Sequence, residues 1–534
     1  MKILNLKKLT LFTAAEATVV SFLIMSLIGG SLIYLTENKR DVDAKVSVLQ
    51  EVEIKPTSPV AEGVPANTEK EIHTFVTDGK YRGEKFVDSV FTAVSALCVT
   101  GLTSTDFSKF TLPGQIIVML LIQMGGLGII LFSSIFAYTI IKNLSGKNGF
   151  KNMLAGILDT TDEDVGRMIK HVVLYTLLFE SLGFAVMGSY LQCLGKFARY
   201  SLIGNVNPWW WSIFHSISAF NNAGFSLMGN NLANFVLNPV INFVIASLVI
   251  LGGLGYPVLI AIHKSLYSKL LKKNKEKLEN LKKDTEGVIS SKVQMRVAIV
   301  GTISFLSLGT LIPLLIERNN PVFFGYSWAQ RFMIAFFHSA SSRTAGFNTI
   351  NIGAFGTASI FLYIILMYVG ANPAGTAGGI KIPTVAVLYG YVKDWFKKPG
   401  EPVMLLKRRV SKFAVSHAVR LFVASIFFIS MVIFFITIKE YNYLITPDAT
   451  FNFTKIIFET FSAFGTVGLS MGFAGAATSF AGILSSFSKS LLIATMLFGR
   501  LGPLTILSAL PFKRKYADMP HSADFDDVET IQIG

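Results

Sequence analysis

The chain has 534 residues, of which 51% are hydrophobic and 15% are charged, with a formal net charge of +15. Soluble globular domains carry about 25% charged residues, whereas abundant Phe (45 here) and Gly (44 here) are typical of packed membrane helices. These values exclude an ordinary soluble domain and predict a polytopic membrane protein. Two cysteines, Cys98 and Cys193, do not make a disulfide framework.

Apolar segments predict eight membrane spans, at residues 11–35, 114–141, 168–194, 240–263, 294–316, 358–390, 413–438 and 486–510. The first follows a basic N-terminus, as in a signal peptide. Its apolar run is too long for a signal core, which favours a retained first helix.

Basic residues crowd every segment that follows an even number of predicted spans. These segments are the N-terminus and residues 142–170, 264–296, 393–412 and 513–515. The positive-inside rule places them all, and therefore both termini, in the cytoplasm. The net charge of +15 mostly reflects this asymmetry, so it does not indicate nucleic-acid binding.

The opposite loops contain four related stretches that are too short to span a membrane: "FTAVSALCVTGLTS", "FHSISAFNNAGFSL", "FFHSASSRTAGFNT" and "FETFSAFGTVGLSM". They align on Gly101, Gly224, Gly346 and Gly468, at separations of 123, 122 and 122 residues. Ten positions before each glycine stands Phe91, Phe214, Phe336 or Phe458, and one position after it stands Leu102, Phe225, Phe347 or Leu469. This regular period indicates a fourfold internal repeat of helix, short helix with loop, and helix.

Irregular backbone at membrane depth is tolerated only where protein buries it or water lines it. Four such loops can meet on one axis, with the negative ends of short pore helices and the loop carbonyls favouring a cation. A single glycine among apolar residues is more often a helix-packing site. Four in register favour the pore.

The sequence therefore predicts an all-α membrane protein with four tandem helix–pore-helix–helix repeats in pseudo-fourfold arrangement around one central pore. The expected divisions are repeat one at 1–142 with an extracytoplasmic, poorly ordered insertion at 36–84, repeat two at 143–265, a basic cytoplasmic linker at 266–293, repeat three at 294–392 with a broken second helix, repeat four at 393–515 and a cytoplasmic tail at 516–534.

Six stretches carry a resemblance to a known family: "SALCVTGLTSTD", "SAFNNAGFSLM", "RTAGFNT", "SAFGTVGLSMG", "GANPAGTAGGIKIPT" and "FGRLGPLT". Across residues 11–512 the chain resembles the Trk/Ktr/HKT potassium transporters, and most closely the KtrB/TrkH-type membrane subunits of bacteria. The absence of two extra N-terminal helices favours the KtrB type.

The resemblance implies uptake of potassium ions across a bacterial cytoplasmic membrane, with the ion bound only at a filter. By position, the implied filter residues are Val99, Thr100, Gly101, Asn222, Ala223, Gly224, Thr344, Ala345, Gly346, Thr466, Val467 and Gly468. Glycine in all four repeats implies potassium preference. Val99 and Asn222 depart from the threonine found in the other two repeats, so a sodium-dependent or sodium-conducting transporter remains an alternative.

The stretch "MYVGANPAGTAGGIKIPT" contains Gly and Pro residues that should break a helix. A Pro-kinked helix packed in the bundle is one interpretation. The resemblance implies instead an intramembrane loop that gates the pore. The implied gate residues are Gly370, Ala371, Asn372, Pro373, Gly375, Thr376, Gly378, Gly379 and Arg500. Arg500 lies deep in the last span, and we expect it to face the pore and to donate hydrogen bonds to carbonyls of the 370–380 loop.

Other polar residues in the apolar segments carry weaker signals. Lys489 is near the start of the last span and is expected to extend outward, and Glu180 needs a partner such as Arg or backbone donors. His215 and His338 fit structural roles without a metal. The roles of Asp106 and Arg343, near the first and third filter segments, stay open between local structure and tuning of the ion's field.

The resemblance also implies a homodimer and a cytosolic nucleotide-binding regulatory ring of the RCK type, since no nucleotide motif occurs in this chain. The basic linker fits either contact with anionic lipid or docking of that ring. No cofactor is expected apart from bound potassium, with sodium left open as a coupling or activating ion. An alternating-access solute transporter and a membrane enzyme are weaker alternatives, because the repeats are parallel and acidic or His clusters are rare.

Overall fold

The computed structural model describes residues 14–53, 82–127, 162–270, 292–395, 403–406, 408–441, 452–472 and 478–502. Most of this part of the chain is helical, and its two-residue strands, β1 (Met404–Leu405) and β2 (Arg408–Arg409), pair antiparallel in a hairpin. The fifteen described α-helices are α1 (Ala14–Glu53), α2 (Arg82–Leu97), α3 (Leu112–Gly126), α4 (Asp162–Cys193), α5 (Lys196–Ile203), α6 (Pro208–Phe220), α7 (Pro239–Leu254), α8 (Tyr256–Leu270), α9 (Lys292–Ile316), α10 (Trp328–Ser341), α11 (Thr357–Tyr368), α12 (Ile382–Asp394), α13 (Lys412–Lys439), α14 (Phe453–Gly465) and α15 (Ser486–Leu501).

The same order of elements occurs four times along the chain: a long helix, a short helix, a glycine-containing segment and a further helix. These four units are built on α1 to α3, on α4, α6 and α7, on α9 to α11, and on α13 to α15. The long helices include apolar stretches that can cross a membrane, at Thr18–Glu37, Ile169–Cys193, Val293–Asn319 and Lys412–Lys439. At most 39% of each apolar window is buried inside the chain, so their remaining apolar surface is suited to lipid.

The four short helices, α2, α6, α10 and α14, have at most 16 residues and are too short to span a bilayer. Polar caps start three of them: the side chains of Asn207, Ser327 and Asn452 accept hydrogen bonds from backbone N–H groups in the first turn. Such caps satisfy N–H groups that have no partner inside the helix. In these three short helices, the capping residue in the sequence defines where the helix begins.

Glutamates at or near the ends of three of the apolar stretches bind the start of the third helix of the same unit. Glu37 Oε1 accepts from Thr111 N (3.0 Å), Glu317 Oε1 from Gly356 N (2.9 Å) and Glu440 Oε1 from Ser485 N (3.1 Å). A carboxylate at a helix N-terminus satisfies free N–H groups and interacts favourably with the helix dipole. Sequence analysis did not predict these contacts, which join residues that are far apart in the chain.

Each unit contacts the next. Trp210 Nε1 donates to Gln115 Oε1 (2.8 Å) between the first and second units, and Leu232 N donates to Asn348 O (3.1 Å) between the second and third. Helices α11 and α14 pack together between the third and fourth units. Between the fourth and first units, Ser479 N donates to Thr103 O at 3.0 Å. The contacts therefore run from the first unit to the fourth and from the fourth back to the first.

The segment predicted as a span at 240–263 contains a sharp bend, because two helices, α7 and α8, meet there at an angle of 102°. Gly255 between them has φ 85, and a Cβ there would lie 2.6 Å from the Pro373 carbonyl oxygen, so close approach of another segment requires glycine. Lys489 does not extend outward: its Nζ lies 2.7 Å from Asp88 Oδ1 in a largely buried ion pair.

The insertion predicted at 36–84 was expected to be poorly ordered, but α1 continues through residues 36–53 and α2 begins at residue 82. Residues 54–81 lie outside the described part of the chain. The second half of the predicted 114–141 span, the end of the last span, the 266–293 linker beyond residue 270 and the 516–534 tail also lie outside it.

Candidate functional site

Four glycine segments, residues 99–101, 222–224, 344–346 and 466–468, follow the four short helices and share an unusual backbone. Their glycines have φ values between 69 and 93. Two positions before each glycine, a residue with a Cβ also lies in the left-handed region: Val99 (φ 58), Asn222 (φ 61), Thr344 (φ 86) and Thr466 (φ 48). Left-handed β-branched residues are rare, and such strain is found mainly at functional sites.

The four glycines approach one another in a closed ring. A Cβ added to Gly101 would lie 3.1 Å from the Cα of Gly224, and one added to Gly224 would lie 3.0 Å from the Cα of Gly346. The same comparison gives 3.1 Å from Gly346 to Gly468 and 3.0 Å from Gly468 back to Gly101. The structure thus brings together four residues that are spread over more than 360 positions of sequence.

Hydroxyl groups on the short helices fix the glycine segments. Ser95 Oγ accepts from Gly101 N (3.0 Å), and Ser462 Oγ accepts from Gly468 N (3.1 Å). In the other two units the hydroxyl donates instead, from Ser218 to Phe225 O (2.9 Å) and from Ser341 to Phe347 O (2.5 Å). The hydroxyl of the third unit has moved by one position relative to the other three.

Large apolar side chains anchor the segments in the protein behind them. Those that follow the glycines are at most 1% exposed: Leu102, Phe225, Phe347 and Leu469. Of the phenylalanines ten positions earlier, Phe91, Phe214 and Phe458 are fully buried, and Phe336 is half-buried. Since these side chains are packed in the protein interior, they restrict movement of the backbone of each glycine segment.

Polar side chains at the start of the segments are buried as well. The hydroxyl oxygens of Thr100 and Thr466 have no hydrogen-bond partner among the described residues. Asn222 and the Thr344 hydroxyl lie 3.1 Å apart, and this hydrogen bond joins the second and third segments. With its amide oriented to accept from Thr344, Asn222 also donates to the carbonyls of Val249 and Ala219.

The 370–380 loop interrupts the third unit between α11 and α12. Its two ends are held by hydrogen bonds from Gly370 N to Ile380 O (2.9 Å) and from Ile380 N to Tyr368 O (3.2 Å). The loop reaches the second unit, where Asn372 N donates to Gly253 O (3.1 Å). It also reaches the fourth, where Gly379 N donates to Gly499 O (3.2 Å).

The loop lies directly against a glycine segment. A Cβ added to Gly378 would lie 2.8 Å from Cγ2 of Thr466 in the fourth segment. Thr376 Oγ1 donates to Phe220 O at the end of short helix α6 (3.4 Å). The segments and the loop therefore form one continuous site.

Arg500 joins the loop to two further units. It is 6% exposed, and its guanidinium donates to the carbonyls of Thr376 in the loop and Gly125 at the end of α3. Lys381, which sequence analysis did not select, donates from Nζ to Ala377 O (2.6 Å) at the loop's own end. The signal that was overlooked is the presence of a lysine inside an apolar segment broken by Gly and Pro residues.

A buried polar cluster stands behind the second segment. Glu180 accepts from Asn221 Nδ2 (2.8 Å) and Gln123 Nε2 (3.1 Å), so its partners are amides rather than the arginine or backbone donors that were considered. Among the described residues no group of three or more His, Cys, Asp or Glu side chains has the geometry of a metal site.

Three of the remaining candidates have local partners. His215 bonds Trp211 O (2.8 Å) and Ser226 Oγ (3.1 Å), and His338 bonds Ile334 O (2.9 Å). Asp106 caps the 3₁₀ turn Phe107–Lys109, accepting from Ser108 N, and pairs with Lys109 at 3.3 Å.

The described residues define a class: a helical membrane protein in which four short buried helices each lead into a left-handed glycine segment, and the four segments meet. A family model described as TrkH, cation transport protein, matches residues 22–513. The chain belongs to this family of cation transport proteins.

Two curated relatives match most of the chain. Ktr system potassium uptake protein B of Vibrio alginolyticus is 32% identical, over 79% of this chain and 84% of that protein. Potassium/sodium uptake protein NtpJ of Enterococcus hirae is 31% identical, over 81% of this chain and 87% of that protein. The solved potassium transporter TrkH from Vibrio parahaemolyticus has the same fold, with a TM-score of 0.57 at 18% identity over 80% of this chain and 78% of that one.

Proposed function

We propose that this protein takes up potassium ions across a bacterial cytoplasmic membrane, through one pore lined by the carbonyls of the four glycine segments in pseudo-fourfold arrangement. The observation that carries this proposal is the closed ring of left-handed glycines. Backbone carbonyls around an axis replace the water shell of a dehydrated cation, and potassium is the cation named for the similar relatives.

The short helices contribute to the field at this pore. Each ends one to three residues before its glycine segment begins, so the negative ends of four helix dipoles lie beside the ion's path. The unpaired hydroxyls of Thr100 and Thr466 add two oxygen acceptors there. The membrane potential drives inward movement with about 2.3 kcal/mol per charge per 100 mV.

The 370–380 loop is the gate of this pore, and Arg500 holds the loop in the closed position. The loop lies against the fourth segment, and Arg500 ties it to the first and fourth units. Opening requires that these carbonyl contacts break or exchange. When the Arg500 guanidinium leaves these carbonyls, only water can take their place as hydrogen-bond acceptors. Water that enters the pore below the glycine segments therefore favours the state in which Arg500 has released the loop.

A second candidate is sodium-dependent or sodium-conducting transport by the same pore. The name of the Enterococcus hirae relative includes sodium. Val99 and Asn222 also make the ring chemically unequal, because the equivalent positions in the other two segments are threonine. An unequal ring discriminates less strongly between ions of different size.

We also propose how the protein assembles and how its gate is regulated. The protein forms a homodimer with both termini in the cytoplasm, and a cytosolic nucleotide-binding ring of the RCK type controls the gate. The basic character of residues 266–293 supports a cytoplasmic docking surface for such a ring, close to the lipid headgroups.

Growth rescue tests the proposed function. The full chain should restore growth of a potassium-uptake-deficient bacterium at low potassium, with sodium varied and with or without an RCK-type partner. Rescue that requires sodium would favour the second candidate, and failure under every condition would refute the proposal.

Removing the gate should increase flux. Deletion of residues 371–378 or the substitution Arg500→Gln should raise potassium flux into vesicles at equal protein level, because the loop no longer fills the path. Arg420→Gln, an exposed change on α13, is the matched control and should leave flux unaltered. An unchanged or lower rate after both gate changes would contradict gating by the loop.

A further inference from the structure

Arg343 is a buried cation to which the proposed pore and gate assign no role. It immediately precedes Thr344, the left-handed first residue of the third glycine segment, and is 6% exposed. Within the described part of the chain it forms no ion pair with a carboxylate. A charge placed there is costly unless its hydrogen bonds serve the structure around it.

Two backbone carbonyls and one aromatic ring surround the guanidinium. Nη1 donates to Thr302 O on α9 and Nη2 donates to Gly370 O, both at 3.3 Å. The guanidinium carbon lies 5.8 Å from the centre of the Phe305 ring, within the range of a cation–π contact. Arg343 thus links the third segment, the long helix of its unit and the first residue of the 370–380 loop.

The other units show that this link is special to the third. The residues equivalent to Arg343, one before each segment, are Cys98, Asn221 and Gly465, and none of them is charged. Asn221 bonds side chains of its own and the preceding unit. Arg343 is the charged member of the set, and its unit is the one that contains the loop.

The loop has a second connection to the same turn of α9. Asn372 Nδ2 donates to Thr302 Oγ1 (3.4 Å), while the Thr302 carbonyl accepts from Arg343. Arg343 and Ala371 also line a small cavity beside Gly253, with room for about one water molecule. The guanidinium can therefore exchange a loop carbonyl for water when the loop moves, whereas its bond to α9 is retained.

We propose that Arg343 couples the position of the 370–380 loop to ion selection at the third glycine segment. This inference rests on the proposed function. With the loop closed, Gly370 O fixes the guanidinium and, through one peptide bond, the backbone of Thr344. With the loop displaced, that restraint is lost, the third segment relaxes, and the preference between potassium and sodium changes.

A double-mutant cycle on selectivity tests the coupling. Purified full-length chains in vesicles would be compared for the ratio of potassium to sodium uptake: the unaltered protein, Arg343→Gln, a deletion of residues 371–378, and the combination. We expect each single change to alter the ratio by about threefold or more. The combination should match the deletion alone, because the deletion displaces the Gly370 end of the loop from Arg343 and so breaks the same link that Arg343→Gln removes. Independent, multiplying effects would overturn the coupling.

Control variants separate coupling from general damage. Arg331→Gln removes a guanidinium on α10, the short helix that precedes Arg343. This guanidinium also donates to backbone carbonyls, those of Tyr326 (2.9 Å) and Arg318 (3.0 Å), but not to the loop. Its uptake ratio should be unchanged. If Arg343→Gln does not reach the membrane, Arg343→Lys replaces it in the cycle, because lysine keeps the charge but lacks the planar fork that serves two separated carbonyls.

Failure of the two proposals can be told apart. If the unaltered protein carries neither ion, the proposed function falls and the coupling with it. If it carries potassium and the two changes act independently, only the coupling falls.

Discussion

At the residue scale, the glycines of the ring differ from other left-handed glycines in what lies against them. Gly346 has φ 77, and a Cβ there would meet the Val467 carbonyl and the Cα of Gly468. Gly325, in the same unit, has φ 82 with no atom within 4 Å of its Cβ position. A side chain at either position would cost about 1–2 kcal/mol in backbone strain. At Gly346 the side chain would also overlap with atoms of the ring.

Alanine at these two positions should therefore have different effects. Gly346→Ala should lower potassium uptake at least about tenfold, because the added methyl displaces the Val467 carbonyl, which we propose lines the ion's path. Gly325→Ala should keep most of the uptake and lose only some thermal stability. Uptake assays normalised to membrane protein check this pair, and equal losses in both variants would mean that the ring has no special role.

At the element scale, helix ends determine how each unit is assembled. Glu440 is 1% exposed and ends α13, and its Oε1 accepts from the backbone and hydroxyl of Ser485 and from the Ser488 hydroxyl. Ser485 caps α15, the helix that carries Arg500. The glutamate thus fixes where that helix begins, and so how far Arg500 extends toward the loop.

Glu440→Gln should lower the thermal stability of the detergent-solubilised protein. The three donors from Ser485 and Ser488 then share an uncharged amide oxygen in place of a carboxylate, at a cost of about 1–3 kcal/mol. Ser490→Ala removes an exposed hydroxyl on the same helix and should change the melting temperature little. A melting temperature of Glu440→Gln equal to that of the unaltered protein would show that the cap is dispensable.

At the scale of the whole molecule, one buried ion pair joins the two ends of the chain of units. Lys489 on α15 pairs with Asp88 on α2, and their side chains are 8% and 16% exposed. Breaking one partner of a buried pair costs about 3–5 kcal/mol, whereas exposed pairs contribute about 0–1 kcal/mol. The closed ring of units should therefore depend on this contact.

Lys489→Gln should destabilise the protein strongly, and adding Asp88→Asn should recover part of the loss because no unpaired charge then remains. Lys109→Gln breaks the pair with Asp106, in which the lysine is 75% exposed, and serves as the control. Thermal unfolding of the three variants in detergent checks this, and a Lys489→Gln protein as stable as Lys109→Gln would contradict a ring held at this junction.

The order of long and short helices and the break between α11 and α12 could be predicted from the sequence, because each depends on local residue type and spacing. The role of the four glycines as an ion filter stays a prediction. The "GGLG" sequence at 252–255 indicates a mild weak point at the end of α7, but not a bend of 102°, since the loop that packs against Gly255 is more than 110 residues away. The partners of Glu180, Lys489 and Glu440 were missed for the same reason. A polar residue in an apolar segment shows that a partner is needed, but not which one the fold supplies.

The most direct test of the account is to locate the ion in an experimental structure determined with rubidium in place of potassium. We predict rubidium density on one axis, enclosed by Gly101, Gly224, Gly346 and Gly468, in a protein that transports potassium. A transporting protein with no rubidium density between these four glycines, or with the glycines turned away from one another, would contradict it.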